Sequence, residues 1–278
     1  MNNIPRVNVL ILNWNGSKVL LDCVNSVMQS NYSNFKITVI DNGSTDDSIE
    51  VLLREIDNIE VINILKNSGF SRGYNFAFNK IINQSDDLYL ILNNDTIVEQ
   101  NSLSSLVNAM NYYGDDNIYG PRIINFNNQK NWYCGGKINC ITGNVSHLGI
   151  NHSSSLIEYK TAETDYVSGC CMLLSKKMIN DLNGFNEIYR MYYEDVDLCV
   201  RIKQKNKKCY FISESIIYHK VSQSLGGQFG IYKYYLKSLS FIKFLYQTNN
   251  FFVFVLYFMI NTACIPLYFI IYILKRLK

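Results

Sequence analysis

VNVLILNWNG, residues Val7–Gly16, decides the fold. Val7–Leu12 is a short apolar run that ends abruptly at the polar loop Asn13–Gly16, which reads as a buried strand and its exit. Ser17–Gln29 follows with Val19, Leu20, Val24, Val27 and Met28 at helical spacing. The same unit then recurs. Phe35–Ile40 is a second strand, and Ser44–Ile56 a helix opened by the capping residues Ser44, Thr45, Asp46 and Asp47. Ile59–Leu65 precedes a helix over Ser71–Ile82, and Leu88–Leu92 precedes one over Gln100–Met110. Strands alternating with helices of this length imply right-handed crossovers and an α/β, Rossmann-like, mainly parallel central sheet flanked by helices.

From Asn117 to Asp165 the pattern loosens into short segments divided by Gly and Asn, suggesting hairpins or irregular structure. Regularity returns with a strand over Tyr166–Ser175, helices over Lys176–Leu182 and Glu194–Lys205, a short strand over Cys209–Ile212 and a helix over Phe229–Tyr246. The chain has 278 residues, 48% hydrophobic and 18% charged, as a globular enzyme has. A net charge of +3 argues against nucleic acid as a partner. The eight cysteines are scattered, without a CxxC pair, and read as reduced core thiols. Met1–Arg6 reads as no signal peptide, because the apolar run behind it stops at Asn13. Phe251–Leu274 is almost wholly apolar, interrupted by Asn261, Thr262 and Pro266. It is expected to contact a membrane, either crossing it or lying in its surface.

Open α/β sheets bind ligands beyond the carboxyl ends of their strands. Four successive strand ends here carry polar clusters. Asn13 and Asn15 follow the first strand; Asp41, Asn42 and Ser44 the second; Asn67, Gly69 and Gly73 the third; Asn93, Asn94 and Asp95 the fourth. Each alone is ordinary turn chemistry, but together they describe a substrate site. Asp41 can accept hydrogen bonds from a nucleobase or ribose. Asp95 can hold a divalent metal, Mg²⁺ or Mn²⁺, that bridges to phosphates, with Asn93 in support. His219, after Ile216-Ile-Tyr218, can add a nitrogen ligand. Glu194, Asp195 and Asp197 crowd the start of one helix.

These segments together resemble a family 2 glycosyltransferase of GT-A fold, near the bacterial rhamnosyltransferase-like branch. The resemblance rests on VNVLILNWNG (7–16), IDNGSTDDS (40–48), NSGFSRGYN (67–75), LILNNDTIV (90–98), GCCMLLSKKMINDLNGFNE (169–187), YYEDVDLCVRI (192–202) and Tyr218-His219, in the family's order. It implies that Asp41 holds the nucleotide base and that Asn67 and Gly73 shape the nucleotide-sugar pocket. It further implies that Asp95 is the last position of the DxD metal motif, that His219 helps hold metal and diphosphate, and that Asp195 is the catalytic base. Asn93-Asn94-Asp95 keeps only one carboxylate of that motif.

The implied reaction is an inverting transfer of a hexose, rhamnose among the candidates, from a nucleotide diphosphate sugar to a glycan or lipid-linked acceptor hydroxyl in cell-surface polysaccharide synthesis. Glu194 and Asp197 are expected to fix the catalytic loop or bind acceptor hydroxyls, and Trp132 and Tyr133 either stack on a sugar or belong to the core. The expected organisation is a catalytic domain over 1–228, with a nucleotide-sugar half over 1–112 and an acceptor half over 113–228. A C-terminal helical membrane-associating region over 229–278 is expected to hold the enzyme on the cytoplasmic face of the membrane. The other reading is a non-catalytic sugar- or nucleotide-binding module on the same fold.

Overall fold

β1 (Val7–Asn13) runs through the middle of the sheet, and all its residues but Leu12 are buried. A strand flanked on both sides must be apolar on both faces, which is why this one reads as continuous rather than alternating. The computed structural model describes residues 4–82, 84–139, 142–153, 159–220, 231–248, 251–256 and 259. After β1 come α1 (Leu20–Met28), β2 (Phe35–Asp41), α2 (Ser48–Glu55), β3 (Glu60–Asn63), α3 (Phe70–Ile81) and β4 (Leu88–Asn93). The strands β4, β1, β2 and β3 lie side by side, all parallel. Register places Asn13 beside Asp41, Asp41 beside Asn63, and Leu12 beside Asn93, so the polar strand ends form one rim.

The chain continues through β5 (Thr96–Val98), α4 (Ser102–Tyr113), β6 (Ile118–Asn125), β7 (Asn131–Tyr133), β8 (Gly136–Ile138), β9 (Val145–His147) and β10 (Ala162–Thr164). It ends with β11 (Cys171–Ser175), α5 (Lys176–Leu182), α6 (Glu194–Gln204), β12 (Cys209–His219) and α7 (Ile231–Gln247). β11 is antiparallel to β4 and β6, β12 is parallel to β6, and β10 and β5 close antiparallel on β12. The main sheet is therefore mostly parallel, with antiparallel β11 inserted next to β4; β8 and β9 form a separate hairpin.

Three differences from the sequence-based expectation have local causes. β6 was not anticipated, because Gly120-Pro121 inside it carries turn chemistry. Proline has no N–H to give a ladder, and the pairing of β6 with β11 is confined to Tyr119 opposite Leu173. β12 is much longer than Cys209–Ile212, because a bulge between Ile212 and Ile216 absorbs the polar Ser213-Glu-Ser215 and lets the strand run on to His219. α2 starts at Ser48 rather than Ser44, since Asp46 and Ser44 spend their side chains on loop contacts.

The core is continuous from α1 and α3 through the sheet to α4, α5 and α6. It includes Phe241, Phe244 and Leu245 of α7, so the first C-terminal helix packs on the catalytic body. Each such side chain contributes about 1.5–3 kcal/mol on burial. The six described cysteines are free and buried, and burial pushes the Cys23 thiol up to about 12 and Cys134 to about 11. Among the described residues no helix is long and apolar enough to cross a membrane. Beyond Leu256, the apolar run from Phe251 to Leu274 lies outside the described residues except for Met259.

Candidate active site

Asn13 organises the rim at the carboxyl ends of the strands. It is fully buried, and its Oδ1 accepts from Asn94 Nδ2 at 2.7 Å. Its Nδ2 donates to Ser44 Oγ at 3.2 Å and Ser48 Oγ at 3.0 Å. One side chain thus ties the ends of β1 and β4 to the loop after β2, and its polar atoms face protein. Asn42 does the same one strand over. Its Oδ1 accepts from Ser68 N at 2.9 Å and its Nδ2 donates to Gly69 O at 3.1 Å. Asn13, Asn42 and Asn94 therefore frame the rim at the strand ends. Asn15 accepts from Thr45 N at 2.8 Å and braces the same loop.

Asp41 is partly buried between Asn13 and Asn63, and its Oδ1 accepts from Ser44 N at 3.1 Å. That bond leaves acceptor capacity for a ligand at the rim. Asn67 Oδ1 accepts from Gly69 N at 2.9 Å. Gly69 has φ +88, and a Cβ there would stand 2.5 Å from Arg190 O, to which Phe70 N donates at 2.8 Å. Only glycine permits this close crossing of the 67–70 loop over the segment that leads to α6. Gly73 faces Leu12 and Asn42 from the first turn of α3.

The two candidate metal residues, Asp95 and His219, meet through strand pairing. β5 is antiparallel to the end of β12, with Thr96 opposite His219, and this sets His219 beside Asp95. His219 Nε2 lies 3.1 Å from Asp95 Oδ1, without the alignment of a hydrogen bond. Asp95 Oδ1 is buried with no hydrogen-bond partner among the described residues, and His219 Nε2 is the nitrogen beside it. Buried polar atoms are normally satisfied, so this oxygen asks for a ligand, whereas the unpartnered His219 Nδ1 is on the far side of the ring and bears on no ion shared with Asp95. A carboxylate oxygen and an imidazole nitrogen suit Mg²⁺ or Mn²⁺ when phosphate oxygens complete the shell. Among the described residues no group of three or more His, Cys, Asp or Glu side chains gathers for a metal.

The turn before β11 links this pair to Asp195. Asn93 N donates to Cys170 O at 3.0 Å, and Gly169 N donates to Asp195 Oδ2 at 2.8 Å. Asp195 Oδ1 accepts from Val196 N at 2.8 Å. Burial raises the Asp195 pKa above its ordinary value, and the backbone N–H groups oppose the rise. A raised pKa suits a base that must take a proton from an acceptor hydroxyl. A Cβ on Gly169 would stand 3.2 Å from Phe70 Cζ and 3.3 Å from Asp195 Cβ, a tight fit that would press on the seated carboxylate. Gly169 opens the stretch GCCMLLSKKMINDLNGFNE (169–187), but nothing in the sequence assigns it a role of its own.

Glu194 is buried with Oε2 unpartnered, and burial followed by the Asp195 charge drives its pKa far up. Asp197 belongs to a different contact. It accepts from Arg201 Nε at 2.7 Å, and Arg201 donates on to Leu182 O and Gly184 O, so Asp197 fixes the end of α5 rather than facing the site. Tyr192 and Tyr193, directly before the acidic pair, have φ +70 and +68. Left-handed conformation at two bulky residues in succession costs on the order of 1–3 kcal/mol each, and such strain clusters at functional sites.

Tyr133 and Trp132 are both packed against protein, the first inside the core and the second at its edge. Tyr133 is core, its hydroxyl donating to Tyr166 O at 2.6 Å. Trp132 is partly buried and stands edge-on to the rings of His147 and His219, at 4.4 and 4.9 Å. Burial lowers the His147 pKa to about 4, so that ring is neutral. The groove lined by Gln84, Asp86 and Lys176 lies at the start of β4, away from the rim, and holds a structural cluster in which Asp86 pairs with Arg6 and Lys36.

A mostly parallel α/β sheet with its polar residues gathered at the carboxyl ends of the strands is the architecture of the GT-A fold. The family model for glycosyl transferase family 2 matches residues 8–182, and the chain belongs to that family. It is 22% identical over 212 residues to the N-acetylglucosaminyl-diphospho-decaprenol L-rhamnosyltransferase of Mycobacterium tuberculosis, covering 68% of each chain. It is 20% identical over 226 residues to the glycosyltransferase GlyG of Streptococcus pneumoniae, covering 79% of this chain and 72% of that one. It is 24% identical over 179 residues to the low-salt glycan biosynthesis hexosyltransferase Agl10 of Haloferax volcanii, covering 62% and 54%. Among solved structures, GalNAc-T7 with UDP, GalNAc and Mn²⁺ superposes with a TM-score of 0.68 at 14% identity, covering 88% of this chain and 48% of that one. S. aureus TarS 1–349 with UDP superposes with a TM-score of 0.55 at 16% identity, covering 86% and 65%. The chain thus spans about half of the first structure, and both likenesses are likenesses of fold.

Proposed function

We propose that the protein transfers a hexose, with inversion, from a nucleotide diphosphate sugar to a hydroxyl of a glycan or lipid-linked acceptor in cell-surface polysaccharide synthesis. The observation that carries this reading is the Asp195 carboxylate, held by Gly169 N and Val196 N on the turn that touches the Asp95 strand end. Asp41 and the 67–73 loop bind the nucleotide side of the donor. Asp95 and His219 would hold a divalent cation, whose positive charge would offset that of the departing diphosphate. Asp195 takes the acceptor proton while the hydroxyl oxygen attacks the anomeric carbon. Rhamnose is favoured by the similarity to a rhamnosyltransferase, and UDP and Mn²⁺ in the GalNAc-T7 structure support the donor and metal classes. A purified sample with Mg²⁺ or Mn²⁺ and a panel of UDP-, GDP- and dTDP-sugars, read by nucleotide release, tests the proposal. Binding of a nucleotide with no release from any donor under acceptor supply would return the non-catalytic module.

The proposal places the enzyme on the cytoplasmic face of a membrane through residues 229–278. Tyr232, Tyr235, Tyr246, Phe251 and Phe252 are exposed, and Lys233 and Lys237 interleave with the first of them. Aromatic and basic residues in that mixture suit a headgroup region. Fractionation of the full chain against a version ending at Thr248 checks this. A full chain that stays soluble without detergent removes the membrane from the proposal.

A further inference from the structure

α7 touches the segment that delivers Asp195 along one stripe of its surface. Ser240 Oγ donates to Met191 O at 2.8 Å, and Lys243 Nζ donates to Ile188 O at 2.7 Å. Gln247 Oε1 accepts from Tyr189 OH at 2.8 Å and from Asn186 Nδ2 at 3.2 Å. Between these, the Tyr193 ring packs on Phe241 and Phe244, with centroids 5.6 and 5.2 Å apart. Residues 240, 241, 243, 244 and 247 share one face of a helix. These hydrogen bonds and the Tyr193 packing all fall within 186–193, which ends at the two left-handed tyrosines just before the acidic pair. Leu245 lies on another face, against the Gly143 turn of the β8–β9 loop, where the edge of Phe241 also reaches.

A left-handed turn at Tyr192-Tyr193 has no local reason to persist. Neither residue is glycine or asparagine, and α6 starts without a side-chain cap at Tyr193. Surrounding contacts must over-determine it, and those contacts come largely from α7. We propose that α7 is the positioning element of the catalytic base: its 240–247 stripe holds the Tyr192-Tyr193 turn and so sets where Asp195 stands. This rests on the glycosyltransferase reading. Ser240, Phe241 and Phe244 are positioning residues that act through Tyr193 and Met191, and none of them touches substrate. A consequence is that whatever seats or displaces α7 also sets the geometry of the base.

The experiment compares full-length Phe244→Ala, Phe244→Leu and Leu245→Ala with the parent. Amide hydrogen exchange over 188–196 is read by mass spectrometry, and kcat and donor KM are read with the nucleotide sugar that gives most nucleotide release. Both alanine variants remove a buried α7 side chain and should lower Tm alike. Phe244→Ala should speed exchange over 188–196 by about tenfold or more, because the turn loses its support. It should lower kcat by about 10–100-fold, the scale of a misplaced catalytic group, with donor KM within about threefold. Phe244→Leu should recover most of both, and Leu245→Ala should show neither. Unchanged exchange over 188–196 in Phe244→Ala, or a kcat loss no larger than that of Leu245→Ala, overturns the proposal. The exchange readout needs no turnover. A parent with no transfer but with the expected exchange pattern would count against the enzyme reading alone.

Discussion

Replacing Asp195 by Asn separates chemistry from folding, because the structure sets the two effects on different scales. Each carboxylate oxygen accepts one backbone N–H, from Gly169 and Val196, both at 2.8 Å. An amide has one acceptor oxygen, so in either rotamer one of those N–H groups faces an NH₂. Losing one buried bond costs about 1–3 kcal/mol. Against this, burial disfavours a charge at this spot, and the amide removes it. The opposing terms leave a net stability change of about 1 kcal/mol or less, a small shift in Tm. Loss of a general base costs about 10²–10⁴ in rate, or roughly 3–5.5 kcal/mol of barrier at 1.36 kcal/mol per tenfold. The assay is nucleotide release under saturating donor, beside calorimetric titration with UDP and Mn²⁺ and a thermal melt. The expected outcome is a melt close to the parent, unchanged nucleotide affinity and a rate lower by at least about a hundredfold. The parent rate should also fall on acidification through a pKa above the ordinary Asp value, a limb the Asn variant lacks. A variant turning over within a few-fold of the parent refutes the assignment of Asp195 as base.

Glu194→Gln should leave most activity, since burial raises the Glu194 pKa and so favours the neutral form that the amide mimics. Its folded pKa exceeds its unfolded one, so the parent loses stability as pH rises between the two values, and the Gln variant should lose less. Melting curves across that range check the sign, and a parallel decline would show Glu194 charged in the fold. Asp41→Ala should raise donor KM more than it lowers kcat, because a rim carboxylate on the base contacts ground and transition states alike; a fall confined to kcat contradicts it. His219→Ala should raise the Mg²⁺ or Mn²⁺ concentration needed for half-maximal rate, and EDTA should abolish transfer in the parent. An unchanged metal titration would make His219 a packing residue against Trp132.

The strand-end rim was legible because parallel strands of similar length finish together. Once VNVLIL, FKITVI and LYLIL read as strands, Asn13, Asp41 and Asn93 had to fall on one edge. Pattern reading located Asp195 and His219 but not what each would face. His219 reaches Asp95 only because β12 carries a bulge and pairs with the short β5. Both features depend on pairing partners far apart in the sequence, β6 for the bulge and β5 for the strand end, and periodicity reports only local burial. The split among neighbouring acids was equally invisible: Glu194, Asp195 and Asp197 share one stretch yet are buried without a partner at Oε2, seated on Gly169, and turned to Arg201 respectively.

By itself the sequence determined the α/β layering, the rim and the class of chemistry, since apolar period and strand-end polarity are local properties. Tertiary structure alone decided which rim residues face protein. It closed Asn13, Asn42 and Asn94 into the frame, seated Asp195 on Gly169, and packed α7 onto the left-handed tyrosine turn. These depend on where two distant segments approach within hydrogen-bonding or van der Waals reach, and no run of neighbouring residues encodes a distance across the fold.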